Sequence, residues 1–425
     1  MCVSAFLTAV SLVILSMAID QASKRAMIDN SSSPNNGIIS SYVGLTFRVC
    51  GRRTGHLVEI AVILMCFGVM VAFLIALGDI IEDGIIKEFD LSLSRDIAIE
   101  FFCLFCMLPL SLLRNVDSLK YSSTFGVVAV MFFVIVTIGK SIQSLIEEGY
   151  NTDGEVKLFP DSLKDVMQAC PVALNAFASH HIIPRIYYEL QDDHNVSRMQ
   201  QMKEIVNISV PITAILYITM GAFAYVEFGD GTQGDVLKNF CIQDTHDQIV
   251  IAAFVLLSFK ICAAFPLQMF PCRDSVLFLL TRCMLQSGSE CCENGISNDR
   301  VTSNDKTSPL LDNEVMIIDP LNGALKYDGI SDNVSLAVDD SAATSLARHV
   351  LLTLGITLSA LLLAVAIPDI SVVFGILGST CVPFICYIMP PIFLLKLDPE
   401  AGGKCILSEA NYPHLRHSCK LTNGD

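Results

Sequence analysis

The sequence predicts an all-α, polytopic membrane protein. Of 425 residues, 52% are hydrophobic and 16% are charged, against roughly 25% charge in soluble domains. The apolar residues gather into runs of about 20, the length at which a helix crosses a hydrocarbon core. Lysine and arginine collect on one side of those runs, as they do in cytosolic loops.

Nine runs are long enough to span, at about 2–19, 57–81, 97–113, 124–142, 166–184, 205–227, 248–272, 349–367 and 371–395. The 97–113 run is short and needs tilt or extension. The first run starts at Met1 with no basic segment before it, so it reads as a span and not as a cleavable signal peptide. Seven runs fall within 1–284 and two within 347–396. Between them, 285–346 is polar, rich in Ser, Asn and Asp, and without period, which reads as a disordered cytosolic insert. Residues 397–425 are too polar to span and read as a cytosolic tail.

With 20–56 placed in the cytosol, that side holds 20 of the 27 Lys and Arg residues, the far side holds six, and Lys260 lies inside a run. The far-side loops are acidic, as in "EDGIIKEFD" and "IEEGYNTDGEV". The net charge of −16 therefore belongs to loops and to the insert. The expected surroundings are a lipid bilayer, with no nucleic-acid partner. Most of the sixteen cysteines sit in apolar runs, where Cys behaves as a small hydrophobe. Cys291 and Cys292 are adjacent and do not form C-x-x-C, so no metal or other cofactor is expected.

One run is at odds with its place in a bilayer. "CPVALNAFASHHIIPRIYYEL", Cys170 to Leu190, carries Pro171, Asn175, Ser179, His180, His181 and Pro184. Proline removes a backbone donor and clashes with the preceding turn. Asn175 and Ser179 can satisfy the groups so freed. A continuous, Pro-kinked helix with two histidines near its cytosolic end accommodates the same residues.

Lys260 is the sharpest single residue. Twelve residues flank it on either side within 248–272. An ammonium at that depth costs roughly 2.5–3.5 kcal/mol on insertion scales, and such a group is by default a functional candidate facing the bundle interior. The bland alternatives are snorkelling and pairing with a buried acid. Further along the same run, Pro266 and Pro271 bend its cytosolic end and Arg273 anchors it at the interface.

Several segments resemble the amino acid/auxin permease family. "CFGVMVAFLIALGD" at 66–79 is similar to its third helix, and "PLSLLRNVDSLKYSS" at 109–123 to its fourth. The Cys170–Leu190 stretch resembles the sixth, and "GAFAYVEFGDGTQGDVLKN" at 221–239 the end of the seventh. "VFGILGST" at 373–380 with "PPIFLLKL" resembles the tenth. "FPLQMFPCRDS" at 265–275 is most similar to the family's vacuolar transporters, with its sodium-coupled neutral amino-acid transporters next. The family's first helix has no counterpart, since Met1 already lies in what resembles the second, and the last helix has none either.

The resemblance implies a five-plus-five inverted-repeat bundle lacking the first helix. It implies an amino-acid transporter, not an enzyme, moving small neutral or polar amino acids across a vacuolar or lysosomal-type membrane ahead of the plasma membrane. A non-transporting amino-acid sensor is the alternative. Such folds bind substrate where helices break near the midplane. That would assign substrate binding to the stretch holding Pro171, Asn175, Ser179 and His180. Sodium-coupled relatives carry Thr hydroxyls before the Pro of the Lys260 helix. Here Cys262, Ala263, Ala264 and Phe265 precede Pro266, a poor set for a hard cation that wants oxygens. Lys260, Cys262 and Ala264 are therefore the coupling candidates, with protons favoured over sodium. His180 is a second titratable candidate.

Overall fold

The computed structural model describes residues 1–29, 41–82, 94–112, 120–147, 162–190, 196–239, 248–293, 315–318, 325–328, 342–367 and 369–398. Among the described residues, thirteen α-helices make up the bundle. They are α1 (Cys2–Asp29), α2 (Tyr42–Cys50), α3 (Arg52–Ile81), α4 (Arg95–Phe102), α5 (Leu108–Leu112), α6 (Lys120–Glu147), α7 (Leu163–Asn175), α8 (Ile183–Glu189), α9 (Arg198–Phe228), α10 (Gln248–Glu293), α11 (Ala342–Ala366), α12 (Ile370–Ser379) and α13 (Met389–Leu397). Two π segments, Cys103–Met107 and Pro383–Ile388, join α4 to α5 and lead into α13.

Among the described residues, seven helical stretches are long and apolar enough to cross a membrane. The other two apolar runs are helical but composite. The 97–113 run gains its length by starting at Arg95, where the Ser94 hydroxyl accepts from the Ile97 amide, and by passing through the π segment. The 166–184 run is split into α7 and α8.

The most central span is α3, 61% buried against 17% for α9, so α3 is the axis and α9 a lipid-facing wall. It packs on α10, α2, α11, α12 and α4. Composition explains this. Its stripe Val58, Val62, Cys66, Met70, Leu74, Leu77 and Ile81 steps by three and four and is buried throughout, whereas α9 exposes Ile205, Ile208, Ile212, Ile215 and Ile218. At one pole of the bundle, Asp79 of α3 meets Arg95 and Lys238, and the Gly234 backbone meets the Ser371 side chain. At the other, Arg25 donates to the Leu397 carbonyl, Lys396 to the Cys50 carbonyl at 3.4 Å, and Tyr187 to Asp20 at 3.0 Å.

Pro266 and Pro271 both lie inside α10, which runs on to Glu293. Two details depart from expectation. Arg273 is not an interface anchor but 7% exposed, because its guanidinium reaches inward to the Ser111 carbonyl (3.4 Å), the Thr353 hydroxyl (3.3 Å) and the face of Phe270 (5.2 Å to the centroid). Within the segment read as a structureless insert, Val315–Ile318 and Leu325–Asp328 pair as an antiparallel hairpin.

Candidate functional site

The α7–α8 break starts from a well-made helix. Ser162 caps α7 in a reciprocal box with Asp165: the Ser162 amide donates to the carboxylate at 3.1 Å, and the Asp165 amide to the hydroxyl at 3.4 Å. The helix carries Pro171 in its interior. It ends one turn later, at Asn175. The tighter bonds Phe177 N–H to Leu174 C=O (3.4 Å) and Ala178 N–H to Asn175 C=O (3.0 Å) mark the end. The chain re-enters helix at Ile183, with Pro184 in the first turn, where a missing N–H costs nothing.

Between the two, backbone groups are left over. Among the described residues, the amides of Ser179 and His181 donate to no backbone carbonyl, and the carbonyls of Phe177 and Ala178 accept from none. The Ala176 carbonyl takes the Tyr217 hydroxyl of α9 at 3.2 Å, with Phe177 edge-on to the Tyr217 ring. Irregular backbone at this depth is tolerated where it lines a protein-enclosed cavity.

The side chains repeat the pattern. His180 is fully buried and His181 is 8% exposed, and among the described residues none of the four ring nitrogens makes a hydrogen bond of ordinary geometry. The Asn175 Oδ1 is buried and unpartnered too. Gln268 of α10 lies within reach of His181, and its Oε1 is also unpartnered. Leaving a buried polar group unmade costs about 1–3 kcal/mol. Five such atoms on one seven-residue stretch, with a sixth facing it from α10, suit a ligand better than a finished core.

Of the substrate-binding candidates, Asn175, Ser179 and His180 fall at the break. Pro171 does something else. It packs on α12 at Gly378, where an added Cβ would run into the Pro171 carbonyl. The two helices cross backbone to backbone one turn before the break.

The coupling candidates are not brought together. The Lys260 ammonium sits 5.7 Å from the Phe73 ring centroid of α3 and its stem crosses Gly126 of α6. It has no acidic partner among the described residues, so the face of an aromatic ring is what neutralises it in part. Cys262 is buried towards Cys103 and Cys106 of the first π segment. Two residues are about 200° of helix, which puts the two side chains on opposite faces. Ala264 lies between Lys260 and Gln268 on one i, i+4 ridge. That ridge runs from the Lys260 ammonium to the break over about 12 Å.

Sequence reasoning passed over Tyr217, Gln268, Tyr387 and Thr8. One signal was available for the tyrosines: a hydroxyl in an apolar span needs a partner.

Residues 3–402 match the family model described as transmembrane amino acid transporter protein. The chain belongs to this family. Its activity is transmembrane amino-acid transport, with no enzymatic reaction. Among curated relatives, it is 25% identical over 365 residues to vacuolar amino acid transporter 6 of Saccharomyces cerevisiae, covering 84% of this chain and 76% of the relative. It is 27% identical over 385 residues to the amino acid transporter AVT6D of Arabidopsis thaliana, covering 85% and 72%. A putative sodium-coupled neutral amino acid transporter 10 of Xenopus laevis is 23% identical over 366 residues, 85% of this chain and 29% of that one.

Proposed function

We propose that this transporter moves small neutral or polar amino acids across a vacuolar-type membrane, coupled to protons and not to sodium, with the α7–α8 break as its substrate site. The break carries the argument. A zwitterion needs donors for its carboxylate and acceptors for its ammonium. The free amides of Ser179 and His181 and the free carbonyls of Phe177 and Ala178 supply both within five residues. Polar orphan groups around them, on Asn175, His180, His181 and Gln268, suit a side chain that is small, neutral or polar. Vacuolar location follows the relatives' names, vacuolar amino acid transporters 5 and 6 of yeast.

Lys260 supports proton coupling. A fixed ammonium about 4 Å from a sodium ion would cost roughly 4 kcal/mol at an effective dielectric of about 20, or about a thousandfold in occupancy. An ammonium can also give up its proton where a sodium ion has nothing to give. The 425-residue chain, reconstituted in proteoliposomes, tests this with labelled amino acids under an imposed pH or sodium gradient. Flux is expected to follow the pH gradient and ignore sodium. Sodium-driven flux would overturn the coupling, and flux confined to charged amino acids would overturn the substrate class.

A further inference from the structure

The second π segment ends at a double proline, and that pair dictates what happens before it. The Met389 amide donates to the Phe384 carbonyl, five residues back. The Ile385 carbonyl would next take an amide from 389 or 390, but the first is committed and the second is Pro390, which has none. The Cys386 carbonyl would take one from 390 or 391, and both are proline. Given this π register, two consecutive carbonyls are thus left without a backbone donor in the membrane interior.

Both are satisfied from other helices. The Tyr42 hydroxyl of α2 donates to the Ile385 carbonyl at 2.6 Å. The Ser11 hydroxyl of α1 donates to the Cys386 carbonyl. The next residue is fixed as well: the Tyr387 hydroxyl and the Thr8 hydroxyl of α1 lie 2.9 Å apart. Thr8, Ser11 and Tyr42 are 1%, 5% and 2% exposed, so these pins are dry. Thr8 and Ser11 are three apart and share a face of α1. Three successive residues of the π segment are therefore pinned to α1 and α2.

The pinned segment meets the break. The Tyr387 ring lies 6.0 Å from the His180 ring, centroid to centroid, at 59°. The His180 backbone amide faces the Cys386 thiol. Among the described residues, neither ring nitrogen of His180 has a hydrogen-bond partner.

We propose that Tyr387 is a positioning residue for transport: tethered through its hydroxyl to Thr8, it holds the His180 ring, and with it the free amides beside His180, in the geometry that receives the amino acid. This rests on the break being the substrate site. Tyr387 itself need not touch the substrate; it acts through His180.

Tyr387→Phe removes the tether and keeps the ring, and Thr8→Val removes it from the other end. Each is expected to raise the KM for amino-acid uptake about three- to tenfold, the range of one lost hydrogen bond, with maximal flux per folded protein retained. The double variant should lose no more than either single one, because both delete the same bond. Effects that multiply in the double variant, or a fall in thermal stability with unchanged KM, would overturn the positioning role. A separate arm addresses the site. Substrate should slow thiol labelling of Ser179→Cys beyond the parent background. Absence of protection would sink the site reading itself, whereas protection at the same substrate concentration with and without Tyr387→Phe would sink only the role of Tyr387.

Discussion

Lys238, in the segment after α9, reaches the carboxylate of Asp79 on α3 at 3.1 Å, while Arg95 at the start of α4 holds the same carboxylate at 2.8 Å. Asp79 is 2% exposed, Arg95 17% and Lys238 31%. A buried carboxylate stripped of its cation is expensive, commonly 3–5 kcal/mol, and here two cations share the task unequally. Arg95 also reaches the Ile75 carbonyl and Glu82, so it is built into the pole of the bundle. Lys238 is more exposed and adds a single contact to Asp79. Arg95→Met should therefore lower the melting temperature in detergent well beyond Lys238→Met. Equal losses would show that the two cations are equivalent.

The same segment rests on α12. A Cβ built on Gly234 would lie 3.3 Å from the Ser371 Cβ, within a few tenths of an ångström of the spacing across a disulfide. Gly234→Cys with Ser371→Cys should cross-link under mild oxidation, as read by peptide mass spectrometry. No cross-link, with both cysteines shown reactive, would mean that the segment does not rest on α12.

At the crossing of α7 and α12, glycine is required at one position and idle at another three residues away. An added methyl at Gly378 meets the Pro171 backbone, whereas at Gly375 it meets nothing within 4 Å. Gly378→Ala should push the two helices apart, costing about 1–3 kcal/mol by overpacking, and should depress uptake because the break begins one turn on. Gly375→Ala should be silent in both measurements. Similar behaviour of the two variants would remove the crossing as the cause.

Lys260 offers a charge test. Met fills a similar volume without the ammonium, and against the Phe73 ring it keeps a favourable sulfur–aromatic contact. Lys260→Met is expected to fold and to lose the response of flux to a pH gradient. Lys260→Arg should lose it too, since guanidinium stays protonated, and its bulk must also pass Gly126. A pH response unchanged in Lys260→Met would return this residue to a structural role.

Much of the architecture follows from local chemistry. Transfer energy and length place the nine helical regions. The breakers and histidines of Cys170–Leu190 mark the region that the structure splits, and Lys260 stands out because nothing in its run resembles it. Pro390 and Pro391 even dictate which carbonyls the second π segment must leave unpaired, because a missing N–H is a covalent fact. Proline kinks a helix locally, but neighbouring helices decide whether it ends, and α10 runs through Pro266 and Pro271 to Glu293.

Other features are decided by which helices touch. The break lies beyond Pro171 because Gly378 lets α12 press on α7 at the proline itself, so the helix yields one turn further on. Arg273 turns inward because the Ser111 carbonyl and Thr353 lie next to it, and no pattern along α10 announces them. Helix geometry alone sends Cys262 and Lys260 to opposite faces, and packing decides what each meets, the first π segment for one and Phe73 of α3 for the other. Orphaned groups are written in the sequence, since proline and buried polar atoms create them residue by residue. The partners that some of them find, Tyr42 and Ser11 for the π-segment carbonyls and Tyr217 for Ala176, come from distant segments that only packing brings within hydrogen-bonding distance.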